Sequence, residues 1–277
     1  MKNFILLAAL LSTSAFALYD EDNRLDLYEV QDAKLKEASQ AVAYQIYFDE
    51  LKGWTFNRYW QILTKTGQEI GLCKDERFSD QPTMRNDCAG VLVGEKELLI
   101  PGNCITEHYC NNDLFYFMFN YAMKDSTPVA LKRDRNDFYK CEKILKRVWD
   151  TQSATSYALI ELNKKVEGIR PLKISKTNHI AENGELVAVG FPHGMPMKIA
   201  GNAFVTDQTE AHFLVSSDIA GTSKGTALIN AKTYELEGML ITGTRHYQDT
   251  PEACARPTKY TQSEAQELAL KVEPLFN

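Results

Sequence analysis

An all-β fold is predicted for this chain by three features of its sequence. Helix-period signals are scarce, short apolar or alternating runs recur along it, and Gly, Asn, Asp and Pro punctuate those runs. Many short strands at such spacing belong to sandwiches or barrels.

Met1, Lys2 and Asn3 precede an apolar run over residues 4–11, and a Ser/Thr/Ala stretch then ends in Ala15-Phe16-Ala17, a small-x-small cleavage pattern. Residues 1–17 are therefore expected to be a secretory signal peptide, which makes the mature chain secreted or periplasmic. The apolar core of that segment is too short to span a bilayer, and no other stretch reaches the apolar length of a membrane span. About 260 residues remain, enough for one domain with a sizeable core or two small barrels that share an interface.

Formal net charge is −6, an acidic balance that argues against a nucleic-acid partner. No Lys/Arg block with interleaved aromatics forms a basic stripe, and Lys132-Arg133-Asp134-Arg135, broken by its own aspartate, reads as a solvated loop.

Strands are expected over residues 41–48, 90–93, 97–100, 114–120, 158–162, 186–190, 203–205, 227–230 and 237–241. Residues 32–41 have the pattern of a helix. A longer helical pattern runs over 262–275, with Ala265, Leu268, Leu270, Val272 and Leu275 among polar residues, and predicts a terminal helix. Trp54, Trp60 and Trp149 are expected to pack in the core.

The cysteines have two uses open to them. Cys104, His108 and Cys110 lie close enough in sequence to suggest zinc, yet a tetrahedral site wants four ligands, and no second close pair follows. Disulfides are the expected use in an exported chain, with no metal and no cofactor.

Three stretches, in order, carry a resemblance. The first is Cys88-Ala89-Gly90-Val91-Leu92-Val93-Gly94, followed by Leu98-Leu99-Ile100-Pro101-Gly102-Asn103-Cys104. The second is Ser156-Tyr157-Ala158-Leu159-Ile160-Glu161-Leu162. The third runs from Asp218-Ile219-Ala220-Gly221-Thr222-Ser223-Lys224-Gly225 through Thr226-Ala227-Leu228-Ile229-Asn230-Ala231-Lys232-Thr233. Together they resemble trypsin-like serine peptidases, most nearly the glutamyl-endopeptidase-like branch of bacteria. Gly71-Leu72-Cys73, Glu76-Arg77-Phe78, Asp80-Gln81-Pro82 and the run from Val189 to Pro196 agree with it.

The resemblance implies two packed antiparallel six-stranded β-barrels with a C-terminal helix: a first barrel over about 18–145, a second over about 146–260 and the helix over about 262–275. It also puts Asn103 where the family has its histidine base, Ser156 where it has the orienting aspartate, and Lys224 where it has the nucleophilic serine. An amide does not titrate usefully, and a neutral serine does not stabilise an imidazolium, so no catalytic residue is expected. Thr222 replaces the glycine that shapes the oxyanion hole. The expected protein is a non-catalytic homologue that binds an extended peptide or protein in the cleft between the barrels, as a sheet binds an added strand.

Other readings stay open. Shifting the third stretch by one residue makes Ser223 an alternative nucleophile, and hence the chain a serine endopeptidase of altered mechanism. A structural envelope or secreted component is the other alternative. Gly221-Thr222-Ser223-Lys224-Gly225 also matches a nucleophile elbow with His246 as base, but the apolar run after it suggests a strand where that motif needs a helix. His212 lies near the family's specificity pocket, as a structural histidine or a recognition one. The family pattern implies a Cys88–Cys104 disulfide; Cys110 with Cys141 is the second expected pair, which leaves Cys73 with Cys254.

Overall fold

Runs of apolar and aromatic residues that no helical period organises gain most by pairing edge to edge, since each strand then buries its side chains while its backbone groups find partners. The computed structural model describes residues 22–53, 57–85, 88–127, 131–177, 179–180, 186–219, 223–242, 247–258, 260–261 and 267–276. The expected signal peptide, Trp54, Thr222 and His246 lie outside the described residues.

Among the described residues, the first half of the chain supplies thirteen strands. They are β1 (Arg24–Asp26), β2 (Val42–Tyr47), β3 (Leu51–Lys52), β4 (Tyr59–Ile62), β5 (Lys65–Thr66), β6 (Pro82–Thr83), β7 (Ala89–Leu92), β8 (Glu97–Ile100), β9 (Phe115–Met118), β10 (Lys132–Asp134), β11 (Phe138–Tyr139), β12 (Cys141–Asp150) and β13 (Thr155–Leu162). Two short helices interrupt them, α1 (Ala33–Ser39) and α2 (Glu107–Asn111). Asp32 caps α1 by accepting the Lys34 and Leu35 amides, so the helix expected over 32–41 is present there. One antiparallel sheet runs β11-β9-β2-β7-β8-β13-β12. Both β7 and β9 are buried at every residue.

The second half supplies β14 (Leu186–Gly190), β15 (Lys198–Gln208), β16 (His212–Ser216), β17 (Ala227–Asn230), β18 (Leu236–Thr242), β19 (Tyr247–Asp249), β20 (Ala255–Pro257) and β21 (Glu267–Lys271). Here β15 pairs with β14 through its first residues and with β16 through its last, and this second pairing closes the ring β15-β14-β17-β18-β21-β16. Closure removes both edges from the six strands. Outside the ring, β1 pairs with β15.

A trypsin-like pair of six-stranded barrels was expected. The second sheet is a closed six-stranded barrel, while the first has seven strands, curls into a half-barrel and, among the described residues, has no pairing of β11 with β12. The first sheet also runs on to Leu162, past the boundary near 145, because β12 and β13 form a hairpin of that sheet. The C-terminal helix is corrected: residues 267–271 are strand β21, and Glu273–Leu275 is a single 3₁₀ turn. Its spacing of apolar residues suits a helix, but β21 lies between β18 and β16 with its backbone paired on both sides, and tertiary closure overrides local period. Lys132-Arg133-Asp134 is strand β10, paired with β4, in place of a solvated loop. Trp60 is buried, whereas Trp149 stands 58% exposed on the edge strand β12.

Three disulfides join Cys73 to Cys254, Cys88 to Cys104 and Cys110 to Cys141, the pairs expected above. Such bridges are what an extracellular or periplasmic protein carries. Among the described residues, no helix is long and apolar enough to cross a membrane.

The two halves meet through Tyr44, whose ring lies 5.3 Å from Phe191 and 5.5 Å from Tyr121. Backbone bonds cross the same junction, from Met84 N to Gly194 O at 3.1 Å and from Met197 N to Tyr121 O at 2.8 Å. A buried polar cluster fastens β1 to the barrel. Lys198 Nζ donates to Asp26 Oδ1 and Gln81 Oε1, both at 2.7 Å, and to Pro196 O at 2.8 Å. Burial outweighs the pull of Asp26 and brings that ammonium down to about 8.

Candidate functional site

Asn103 sits in the turn that leaves β8, closed by the Cys104 amide on Pro101 O at 2.9 Å. The neighbouring Gly102 is needed there: a Cβ on it would come within 2.1 Å of Val148 O. Arg147 Nε holds the same turn from β12, donating to Gly102 O at 2.7 Å and Ile105 O at 2.8 Å. At the start of β13, Ser156 faces this turn. Its hydroxyl donates to Asn103 Oδ1 at 3.3 Å and accepts the Asn103 amide at 3.3 Å. Asn103 and Ser156 thus satisfy one another, and neither group takes up or releases a proton at neutral pH.

Ser223 is 3% exposed. Its Oγ accepts the Phe191 amide at 2.8 Å and lies 2.9 Å from Thr226 Oγ1. Thr226 Oγ1 also donates to Ser223 O at 2.7 Å. The Thr226 hydroxyl hydrogen is thus directed at the two oxygens of Ser223, its carbonyl and its Oγ. Among the described residues no histidine reaches Ser223 Oγ. Its oxygen is enclosed by the Phe191 amide and the Thr226 hydroxyl.

Lys224 joins this loop to the other half of the molecule. It forms a parallel bridge with Cys88, and its carbonyl accepts the Ala89 amide at 2.8 Å. Gly225 follows with φ +84°, and a Cβ there would stand 2.0 Å from Ala89 O, so this close approach requires glycine. The Cys88–Cys104 disulfide then links the Lys224 contact to the Asn103 turn.

His212, the first residue of β16, bonds through Nε2 to Ala154 O at 3.1 Å. Ala154 lies in the β12–β13 hairpin with φ 52°, so the ring ties the second barrel to the loop that leads into Ser156. Cys104 and Cys110, weighed above as zinc ligands, are both in disulfides.

A cavity of about 730 Å³ opens elsewhere, lined among others by Glu50, Leu63, Ile70, Met84 and Arg85 of the first half and by His193 of the second. None of the sequence-derived site residues lines it. Glu50 accepts the Arg85 amide at 2.9 Å through Oε1, its Oε2 has no partner among the described residues, and burial pushes its carboxyl up. Sequence reading missed this cavity, whose walls come from five separate segments. It missed Lys198 too, although a lone lysine inside Pro196-Met197-Lys198-Ile199-Ala200 was a usable signal of a buried pair.

No protein-family model matches this chain, nor does any curated protein. Solved structures do. The VesB protease of Vibrio cholerae superposes with a TM-score of 0.52 at 10% identity, over 91% of this chain and 64% of that one. A Glu endopeptidase solved in complex with MPD superposes with a TM-score of 0.51 at 12% identity, over 94% of this chain and 95% of its own. The fold is trypsin-like. This chain spans under two thirds of the VesB protease chain. Within the trypsin-like fold, its two sheets are joined at Lys224 and Cys88, with the Asn103–Ser156 pair on the first sheet and the Ser223–Thr226 pair on the barrel.

Proposed function

We propose that this chain is an exported, non-catalytic homologue of trypsin-like serine peptidases that holds an extended peptide or protein segment between its two halves without cutting it. The hydrogen bonding of Ser223 carries the reading. A serine nucleophile needs its hydroxyl turned toward substrate and a base to take its proton. The Ser223 hydroxyl is buried against the Phe191 amide and Thr226 instead.

Asn103 and Ser156, in the positions where the resemblance has the base and its carboxylate, support the same reading: their mutual hydrogen bonds replace a proton relay by a fixed polar contact. Peptide binding finds support in the 730 Å³ cavity, which offers the apolar Leu63, Ile70 and Met84 beside charged Glu50 and Arg85. Such a mixture of apolar wall and few polar groups is typical of ligand sites. Export rests on the signal pattern over residues 1–17 and on three disulfides.

The test is capture from a randomised peptide library by immobilised mature protein, with bound peptides eluted and read by mass spectrometry. The reading expects a set of intact peptides sharing a sequence preference. Recovery of fragments, or of no enriched peptide, contradicts it.

A further inference from the structure

We propose that a second cavity, on the flank where the N-terminal segment and α1 cover the first half of the molecule, binds a phosphate- or sulfate-bearing ligand. Its volume is about 440 Å³, and its lining residues include Tyr28, Lys36, Gln40, Asn120, Lys124 and Arg133. Among the described residues, every charged side chain in that lining is a cation, in a chain whose net charge is −6. Solvated faces of an acidic protein mix both signs; three cations around one concavity raise the local potential for an anion.

Of the acids Asp26, Glu29, Asp125 and Asp137, all but the last are engaged elsewhere. Asp26 holds Lys198 at 2.7 Å. Glu29 accepts the Asp26 amide at 2.8 Å and pairs with Arg77 at 3.7 Å. Asp125, next to Lys124, takes both the amide and the hydroxyl of Thr127. Asp137 acts on Arg133 without a hydrogen bond to it.

Arg133 is the anchor. Asn120, in the left-handed region at φ 55°, turns its carbonyl onto Arg133 Nη2 at 2.7 Å and so fixes the guanidinium plane. Arg133 Nε is buried and has no acceptor among the described residues. Lacking a carboxylate partner, the half-buried guanidinium is pushed down by desolvation, a cost that an entering anion offsets. Lys36 stands across from it, with one contact to Tyr28 O at 3.4 Å. Tyr121, Ala122 and Met123 are buried and root the loop that carries Lys124, so the wall is formed before any ligand arrives. Two lysines, a guanidinium and the Tyr28 hydroxyl match the acceptor oxygens of a tetrahedral oxyanion. The volume leaves room for the group that bears it.

Titration calorimetry of the mature protein at fixed ionic strength tests this with sodium phosphate, sodium sulfate, glycerol 3-phosphate and sodium chloride. Saturable 1:1 binding of phosphate or sulfate, absent with chloride, is the expected result. Tighter binding of glycerol 3-phosphate than of phosphate assigns the site to esters, and the reverse assigns it to the free ion. Lys124→Gln, on an exposed position, should weaken binding about tenfold, as loss of one charge-assisted contact does, and Lys124→Arg should restore most of it. Identical titrations of phosphate and chloride, or unchanged phosphate affinity in both Lys124→Gln and Arg133→Gln, overturn the proposal.

Discussion

Ser223 accepts an amide hydrogen that has no other destination: the Phe191 N–H is buried and the serine oxygen is its partner. Ser223→Ala should therefore cost about 1–3 kcal/mol of stability, the penalty for a stranded buried donor, read as a lower urea midpoint at unchanged slope. A serine kept for chemistry alone would leave that midpoint in place. Glu237 offers a test by pH. It is 4% exposed, and burial raises its carboxyl above the ordinary glutamate range. The folded state thus holds this proton where the unfolded state has released it, and stability falls as pH rises through that window. Glu237→Gln, which keeps an acceptor for Asn230, should raise Tm at pH 7, and the gain should shrink as pH falls toward the ordinary glutamate range. Residue identities at Asn103 and Ser156 were readable in the sequence, and the resemblance alone sets them where a base and its carboxylate are expected. What surrounds Ser223 was not readable, since Phe191 and Thr226 reach it only after β14 and β17 have paired.

Strand β7 ends its disulfide loop at the Asn103 turn, and β20 follows the cysteine that reaches back to Cys73. Chain-entropy cost grows slowly with loop length. Across the sequence separation of 16 between Cys88 and Cys104 a bridge contributes about 3 kcal/mol, and across the 181 between Cys73 and Cys254 about 5 kcal/mol. Paired serine replacements should lower the unfolding free energy in that order, measured by guanidinium melts under non-reducing conditions. Elements buried on both faces were legible: β7 and β14 are apolar runs buried throughout, and β8, β17 and β18 are largely so. Two elements were misread for physical reasons. β21 carries apolar spacing that a helix also satisfies, and only its two strand neighbours decide between them. β10 is a charged segment held by β4, with Lys132 and Arg58 packed over the Tyr59 ring.

At the scale of the whole molecule, residues far apart in sequence lock the N-terminal strand to the barrel and the barrel to the first sheet. The Asp26–Lys198 pair is the charged one among these contacts, both groups being almost fully buried. Asp26→Asn leaves a buried ammonium short of its counter-ion and should cost about 3–5 kcal/mol; hydrogen exchange should quicken first in the amides of β1 and its β15 partners. Slow exchange there in the variant would show that the pair matters little. The trypsin-like architecture was legible because three motifs fell in one order along the chain, whereas the half-barrel and the two cavities depend on how curled sheets meet. On the proposed function, this chain holds peptides without cutting them. Digestion of a peptide library by the purified mature protein, beside the Ser223→Ala variant, tests it most directly. The account predicts no cleavage that depends on Ser223; peptide products that appear with the wild type and vanish with Ser223→Ala would contradict it.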